Sequence, residues 1–254
     1  MNGKIALITG ASSGIGLGCA EVFAEAGARL IIVARRKERL DALADKLRQN
    51  YNSDVLVRVC DIRERNDVFA LAETLPDEWK NIDILINNAG LSRGLDKLQA
   101  GSVDDWEEMI DVNIKGLLYM TRAVLPGMIE RAAGMIINIA SVAGRMAYPS
   151  GNVYCATKSA VRTISESLQL DVNGTGVRVC NIDPGLVETE FSLVRFRGNA
   201  ARAEMTYRGF LPLSGCDVAE AALFCATRPP YVSIQDLLIM PTAQASPYVI
   251  TKNN

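Results

Sequence analysis

Short apolar runs alternate with longer amphipathic stretches from the first residues onward. Ile5-Ala6-Leu7-Ile8 reads as a strand and Gly14 to Ala26 as a helix. Leu30 to Val33 is a second strand, followed by a charged amphipathic helix over Lys37 to Asn50. The pattern repeats with strands at Val55–Val59, Ile82–Ile86, Met135–Ile139, Val177–Ile182 and Asp236–Met240. The intervening helices fall at Arg63–Leu75, Val103–Met128, Tyr154–Val172 and Asp217–Thr227. Strands that are apolar throughout are buried on both faces, as in parallel sheets. Repeated βα units then predict a doubly wound α/β fold with right-handed crossovers and helices on both faces. No Pro/Gly/Ser linker divides the chain, so one domain over residues 1–254 is predicted. Glu188 to Phe210 breaks the alternation; it is rich in Arg and Gly, contains Phe191, Phe196 and Tyr207, and reads as a mobile insertion with short helices.

Composition narrows the function. Of 254 residues 49% are apolar, and the net charge is −2, which argues against nucleic acid or an anionic membrane as the main partner. No apolar run reaches the roughly 20 residues needed to span a bilayer. The chain enters its first strand at once, which leaves no room for a signal peptide; a cytoplasmic protein is predicted. The six cysteines (Cys19, Cys60, Cys155, Cys180, Cys216, Cys225) include no C-x-x-C pair and read as reduced, mostly buried thiols, with Cys155 beside Tyr154 the candidate for oxidation. There is no histidine. A Ser-His-Asp or Cys-His hydrolase is therefore excluded, and no metal site is predicted. Acid–base chemistry must fall to Tyr, Lys, Asp, Glu or Cys.

Three motifs supply such chemistry. The turn Thr9-Gly10-Ala11-Ser12-Ser13-Gly14-Ile15-Gly16 follows a strand and opens a helix. Its glycines allow a backbone to approach a pyrophosphate at the positive helix end; the plain alternative is a tight βα turn with no ligand. The second strand ends in Ala34-Arg35-Arg36, where an NAD-binding unit usually carries an acid on the ribose hydroxyls. Arginines there suit a 2′-phosphate and hence NADP(H), unless they are only a solvated helix start. Tyr154 and Lys158, at i and i+4, share one helix face, and the ammonium favours the phenolate and lowers the phenol's pKa. Ser141 can hold a substrate oxygen beside that phenol. Together these are the parts of a hydride-transfer enzyme acting on an alcohol or ketone.

The chain resembles the short-chain dehydrogenase/reductase family in its compact form. The matching residues are Thr9-Gly10-x-x-x-Gly14-x-Gly16, Asp61, Asn87-Asn88-Ala89-Gly90, Asn113, Ser141, Tyr154-x-x-x-Lys158 and Pro184-Gly185. The resemblance implies a seven-stranded parallel Rossmann sheet in the order 3-2-1-4-5-6-7. It implies a catalytic tetrad of Asn113, Ser141, Tyr154 and Lys158: Tyr154 as acid/base, Ser141 orienting the substrate oxygen, Lys158 lowering the phenol's pKa and binding the nicotinamide ribose, and Asn113 holding a water that links Lys158 to solvent. By position, Gly10, Ser12, Ser13, Gly14, Ile15 and Gly16 would cradle the cofactor. Asp61 and Ile62 would meet the adenine, and Asn88, Ala89 and Gly90 would line the inner edge. Asn87 would instead tie strands together. Pro184 and Gly185 would cover the nicotinamide, with Val187 and Thr189 near its carboxamide. Hydride exchange on the pro-S face and a homotetramer paired through the helices at Val103–Met128 and Tyr154–Val172 are also implied.

Within the family, Gly185-Leu186-Val187-Glu188-Thr189-Glu190-Phe191 through Gly198 and the close Leu237 to Ala245 are similar to the NADP-dependent serine/3-hydroxy acid dehydrogenases, L-allo-threonine dehydrogenases among them. That similarity implies small acids with a hydroxyl at C3 as substrates. An arginine can clamp a carboxylate; Arg195, Arg197, Arg202 and Arg208 in the insertion, and Arg145 after Ser141, are the candidates, each of which can equally be a surface charge or a cofactor contact. Arg195 is taken as the substrate residue. The competing readings are the same chemistry on a 3-oxoacyl thioester, sugar or diketone, and a non-catalytic dinucleotide sensor.

Overall fold

Strand β1 (Ile5–Thr9) is buried along its whole length, and its side chains part in turn to the two faces of the sheet. Ala6 and Ile8 join one core with Leu30, Ile32, Met135 and Ile137. Ile5 and Leu7 join the other with Ile31, Val33, Leu85 and Ile136. The two-residue strand period thus divides one apolar run between two helical layers. These features belong to a computed structural model that describes residues 1–252.

All seven strands pair in parallel, in the order β3 (Val55–Val59), β2 (Arg29–Ala34), β1, β4 (Ile84–Asn87), β5 (Gly134–Ile139), β6 (Val177–Pro184) and β7 (Asp236–Ile239). The fold is the doubly wound Rossmann-type sheet that the sequence predicts. Helices α1 (Gly14–Glu25), α2 (Lys37–Tyr51) and α9 (Gly215–Ala226) pack on one face. On α2, Leu40, Leu43, Ala44 and Leu47 turn inward at helical spacing. Helices α3 (Arg65–Glu73), α5 (Leu117–Glu130) and α6 (Asn152–Asp171) cover the other face. Helix α3 starts two residues later than its apolar pattern predicts. The reason is local: Arg63 folds back onto Asp61, donating both its backbone N–H (3.1 Å) and its guanidinium.

The stretch read as one helix from Val103 to Met128 is three pieces. Helix α4 (Val103–Ile110) runs into a π-helical turn over Asp111–Gly116 and then into α5. The insertion at 188–210 contains two short helices, α7 (Phe191–Arg195) and α8 (Ala200–Tyr207). Among the described residues, no helix is long and apolar enough to cross a membrane.

Candidate active site

Strand order reverses direction between β1 and β4, and a crevice opens at the carboxyl ends of the strands there, as expected of an open α/β sheet. A cavity of about 570 Å³ lies at this point. Its wall includes Gly10, Ser12, Ser13, Gly14 and Ile15 from the first turn; Arg35, Arg36, Asp61 and Ile62 beyond β2 and β3; Asn88, Ala89 and Gly90 after β4; Ser141, Tyr154 and Lys158; and Pro184, Gly185, Val187, Thr189 and Arg195. Of the predicted tetrad and cofactor-binding residues, Gly16 and Asn113 lie behind this wall.

Gly16 is where the first turn meets its own strand: a Cβ there would stand 2.4 Å from the Gly10 carbonyl oxygen. The turn is also tied to β4. Thr9 Oγ1 accepts the backbone N–H groups of Asn88 and Ala89, each at 3.0 Å, while Asn88 Nδ2 donates to the Thr9 carbonyl at 2.9 Å. Asn87 does tie elements together, donating to Thr121 Oγ1 (3.0 Å) and Asn138 Oδ1 (2.9 Å) in the core.

At the far end of the cavity Arg36 donates to Ser12 Oγ and Ser13 Oγ, and Arg35 lies 3.8 Å from Asp61. A glycine cradle at a helix start, two serine hydroxyls and a guanidinium fit a dinucleotide with a phosphate on its adenosine ribose. Sequence reasoning missed Arg39, which stands on the same helix face as Arg36 and pairs with Glu190 at 2.6 Å. The i, i+3 arginine spacing was the available signal.

Tyr154 and Lys158 face inward because α6 buries Tyr154, Thr157, Lys158, Val161, Ser165 and Leu168, one stripe of its surface. Lys158 Nζ donates to the Ile139 carbonyl at 2.9 Å. Asn113 braces the region from the π turn: its Oδ1 accepts the Leu91 N–H, and its Nδ2 donates to the Leu91 carbonyl (2.9 Å) and to Thr157 Oγ1 (3.0 Å). Ser141 is extended at the end of β5; its backbone N–H is accepted by buried Asp183 at 3.1 Å. Gly144 lets the following turn touch α6, since a Cβ would stand 2.6 Å from the Lys158 carbonyl oxygen.

The electrostatics differ from the sequence expectation in one respect. Burial pushes the Tyr154 phenol above its usual range, and the opposing cation that the structure sets against it is Arg195, aided by hydrogen bonding with Ser141. The Arg195 guanidinium lies 5.2 Å from the Tyr154 ring centroid, whereas the Lys158 ammonium is turned to a backbone carbonyl. Burial lowers the Lys158 ammonium to about 8, with Asp183 pulling the other way.

That displacement has a measurable consequence. The unfolded lysine keeps its proton to about pH 10.4, so at pH 7 a charged, buried Lys158 costs up to about 3 kcal/mol of stability. Between pH 8 and 10.5 the unfolded chain binds more protons, and stability rises through that window. Lys158→Met is expected to stabilise the fold at pH 7 by ~1–3 kcal/mol and by less at pH 9.5, read by urea unfolding. An unchanged or lower midpoint at pH 7 would show that the charge is well solvated.

Of the five arginines considered as carboxylate clamps, Arg195 lines the cavity. It donates to Tyr148 Oη at 3.0 Å and lies over the rings of Tyr154 and Phe191, while its Nε is buried without a hydrogen-bond partner among the described residues. Arg145 is held by Asp183 and Asp236. Arg197 pairs with Asp105, Arg202 stacks on Phe196, and Arg208 is exposed. Helix α7 is seated by Arg93, which donates to the Val194 carbonyl at 2.7 Å, and by the Gly94 N–H on the Arg195 carbonyl at 3.1 Å. Gln244, in the distinctive close of the chain, is buried and accepts the Leu186 N–H at 2.8 Å, which fixes the segment after Pro184. The thiols are all unpaired, and the exposed one is Cys216; Cys155 is buried, with a thiol pushed up by burial, so it is not the exposed target for oxidation.

A Rossmann sheet with a paired tyrosine and lysine at its switch point defines a dinucleotide-dependent oxidoreductase. The short chain dehydrogenase family model matches residues 4–198, and the chain belongs to that family. It is 49% identical over 242 residues to the NADP-dependent 3-hydroxy acid dehydrogenase of Salmonella typhi, covering 95% of this chain and 96% of that one. It is 45% identical to sulfoacetaldehyde reductase 2 of Chromohalobacter salexigens, covering 95% of each chain. A closed serine dehydrogenase structure complexed with NADP+ superposes with a TM-score of 0.93 at 46% identity, covering 98% of this chain and 100% of that one.

Proposed function

We propose that this enzyme uses NADP(H) to oxidise, reversibly, the C3 hydroxyl of small 3-hydroxy acids, including 2-amino-3-hydroxy acids such as serine and allo-threonine and acids like 3-hydroxypropionate. The observation that carries the reading is Arg195: a guanidinium beside the proton-donating phenol, with a buried N–H awaiting an acceptor. A substrate carboxylate on Arg195 brings the C3 oxygen toward Ser141 and Tyr154.

The glycine turn, Arg36, Asp61 and the segment Pro184–Thr189 would hold the cofactor. When bound, NADP(H) accepts or returns the hydride. The remaining chemistry belongs to the chain. Ser141 Oγ orients the substrate oxygen. Tyr154 takes the hydroxyl proton in oxidation and gives one back in reduction. Arg195 is the cation that favours the phenolate as it forms, and Lys158, held on the Ile139 carbonyl, would bind the nicotinamide ribose. Phe191 and Tyr148 help exclude water around the reacting carbon. Oxidised 2-amino-3-oxo acids then lose CO₂ as β-keto acids do.

The unpaired cysteines support a reducing compartment, the cytoplasm. Exposed Val103, Ile110, Leu118 and Ile129 on α4 and α5 support a homotetramer paired through this layer.

The test is a panel of hydroxy acids, hydroxysulfonates, neutral alcohols and diketones followed by nicotinamide absorbance. Small hydroxy acids are expected to lead, with NADP preferred over NAD by at least about tenfold and that preference eroded in the Arg35→Ala, Arg36→Ala double variant. A neutral diketone or a thioester turned over better than every acid would overturn the substrate assignment. Equal use of both cofactors would overturn the role of the arginines.

A further inference from the structure

Arg36 and Arg39 stand one turn apart at the start of α2, and a carboxylate from the segment beyond β6 reaches both. Glu190 precedes α7; its Oε2 lies 2.9 Å from Arg36 Nη1 and its Oε1 2.6 Å from Arg39 Nη1. Arg36 has further partners: its Nε and Nη2 donate to Ser12 Oγ at 3.2 and 2.9 Å, and Nη2 to Ser13 Oγ at 2.8 Å. A two-pronged anion of the chain's own thus occupies the basic corner that, on the reading above, receives the ribose 2′-phosphate.

Glu190 has two opposite effects on that phosphate. As a counter-anion it competes for the guanidinium groups. As a brace it holds them in place. Magnitudes decide between these. The side chains of Arg36, Arg39 and Glu190 are 41%, 48% and 37% exposed, so each pair is weak and the brace is worth little. Arg36 also keeps its orientation from Ser12 and Ser13 without help from Glu190. Competition therefore wins. Moreover, the contact joins the phosphate corner to the entry of α7, the helix that ends at Arg195.

We propose that Glu190 is a displaceable counter-anion for Arg36 and Arg39 that tempers 2′-phosphate affinity and ties filling of the phosphate corner to the seating of α7. A 2′-phosphate takes over the arginines, Glu190 lets go, and the start of α7 loses a side-chain anchor; the contacts of Arg93 with the Val194 carbonyl, Ser192 with Tyr207 and Arg195 with Tyr148 remain. The inference rests on the NADP(H) reading of this corner.

The experiment titrates unmodified protein and Glu190→Gln with adenosine 2′,5′-bisphosphate and with adenosine 5′-monophosphate, which differ only in the 2′-phosphate and carry no nicotinamide. Hydrogen exchange of peptides spanning residues 190–198 is followed in parallel. Glu190→Gln is expected to bind the bisphosphate about fivefold tighter and the monophosphate unchanged. In unmodified protein the bisphosphate, not the monophosphate, is expected to speed exchange in α7; in Glu190→Gln exchange is already fast and the bisphosphate adds nothing. Equal or weaker bisphosphate binding by Glu190→Gln overturns the proposal while the cofactor reading stands. If unmodified protein binds the two nucleotides alike, the cofactor reading fails and the proposal falls with it.

Discussion

Tyr154→Phe is expected to cut turnover about 10²–10⁴-fold while NADP(H) binding persists. The ring keeps its place against Phe191, 5.6 Å between centroids, so the pocket keeps its shape and loses only the proton. Oxidation needs the phenolate as base. Because burial holds the phenol's pKa high, the oxidation rate of the unmodified enzyme rises with pH as the phenolate fraction grows. Reduction needs the phenol and does not gain in the same way. Tyr154→Phe should lose the rise along with the rate. More than a few per cent of residual turnover, with the pH dependence intact, would assign the proton to another group.

Arg195→Ala should separate acids from neutral substrates. If the guanidinium binds a carboxylate out of water, its loss costs on the order of 2–5 kcal/mol in acid binding, a rise in KM of at least roughly thirtyfold. Arg195 also pulls the Tyr154 pKa down, so its removal slows every substrate to some extent. The diagnostic quantity is therefore the ratio of kcat/KM for a hydroxy acid to that for a neutral alcohol or diketone. A ratio that falls by at least tenfold supports the anchor. A ratio unchanged in Arg195→Ala, and likewise in Arg197→Ala, Arg202→Ala and Arg208→Ala, places the anchor elsewhere.

The layers of the fold were legible because each strand is apolar throughout and each helix carries one apolar stripe. Both signals are local and periodic. Tyr154, Lys158 and the glycine turn were legible for a similar reason: the partners lie within a few residues of one another. What escaped notice was long-range and polar. Glu190 meets Arg36 across 154 positions, and Asp183 meets the Ser141 backbone across 42. No short pattern announces such pairs. The placement of charge around the phenol was missed on the same ground, because Arg195 reaches Tyr154 only through the folding of the insertion. The π turn escaped because its residues have the same polarity pattern as the helices it joins.

That turn bears on how such a site arises. Closing a π turn takes one residue more than closing an α turn. The stretch Asp111–Gly116 therefore holds a surplus residue relative to an unbroken helix between α4 and α5. The surplus sets the facing of Asn113, whose carboxamide spans Leu91 and Thr157. A single inserted or deleted codon can thus create or erase this brace while each flanking helix keeps its own sequence. The brace has a genetic unit smaller than any element of the fold.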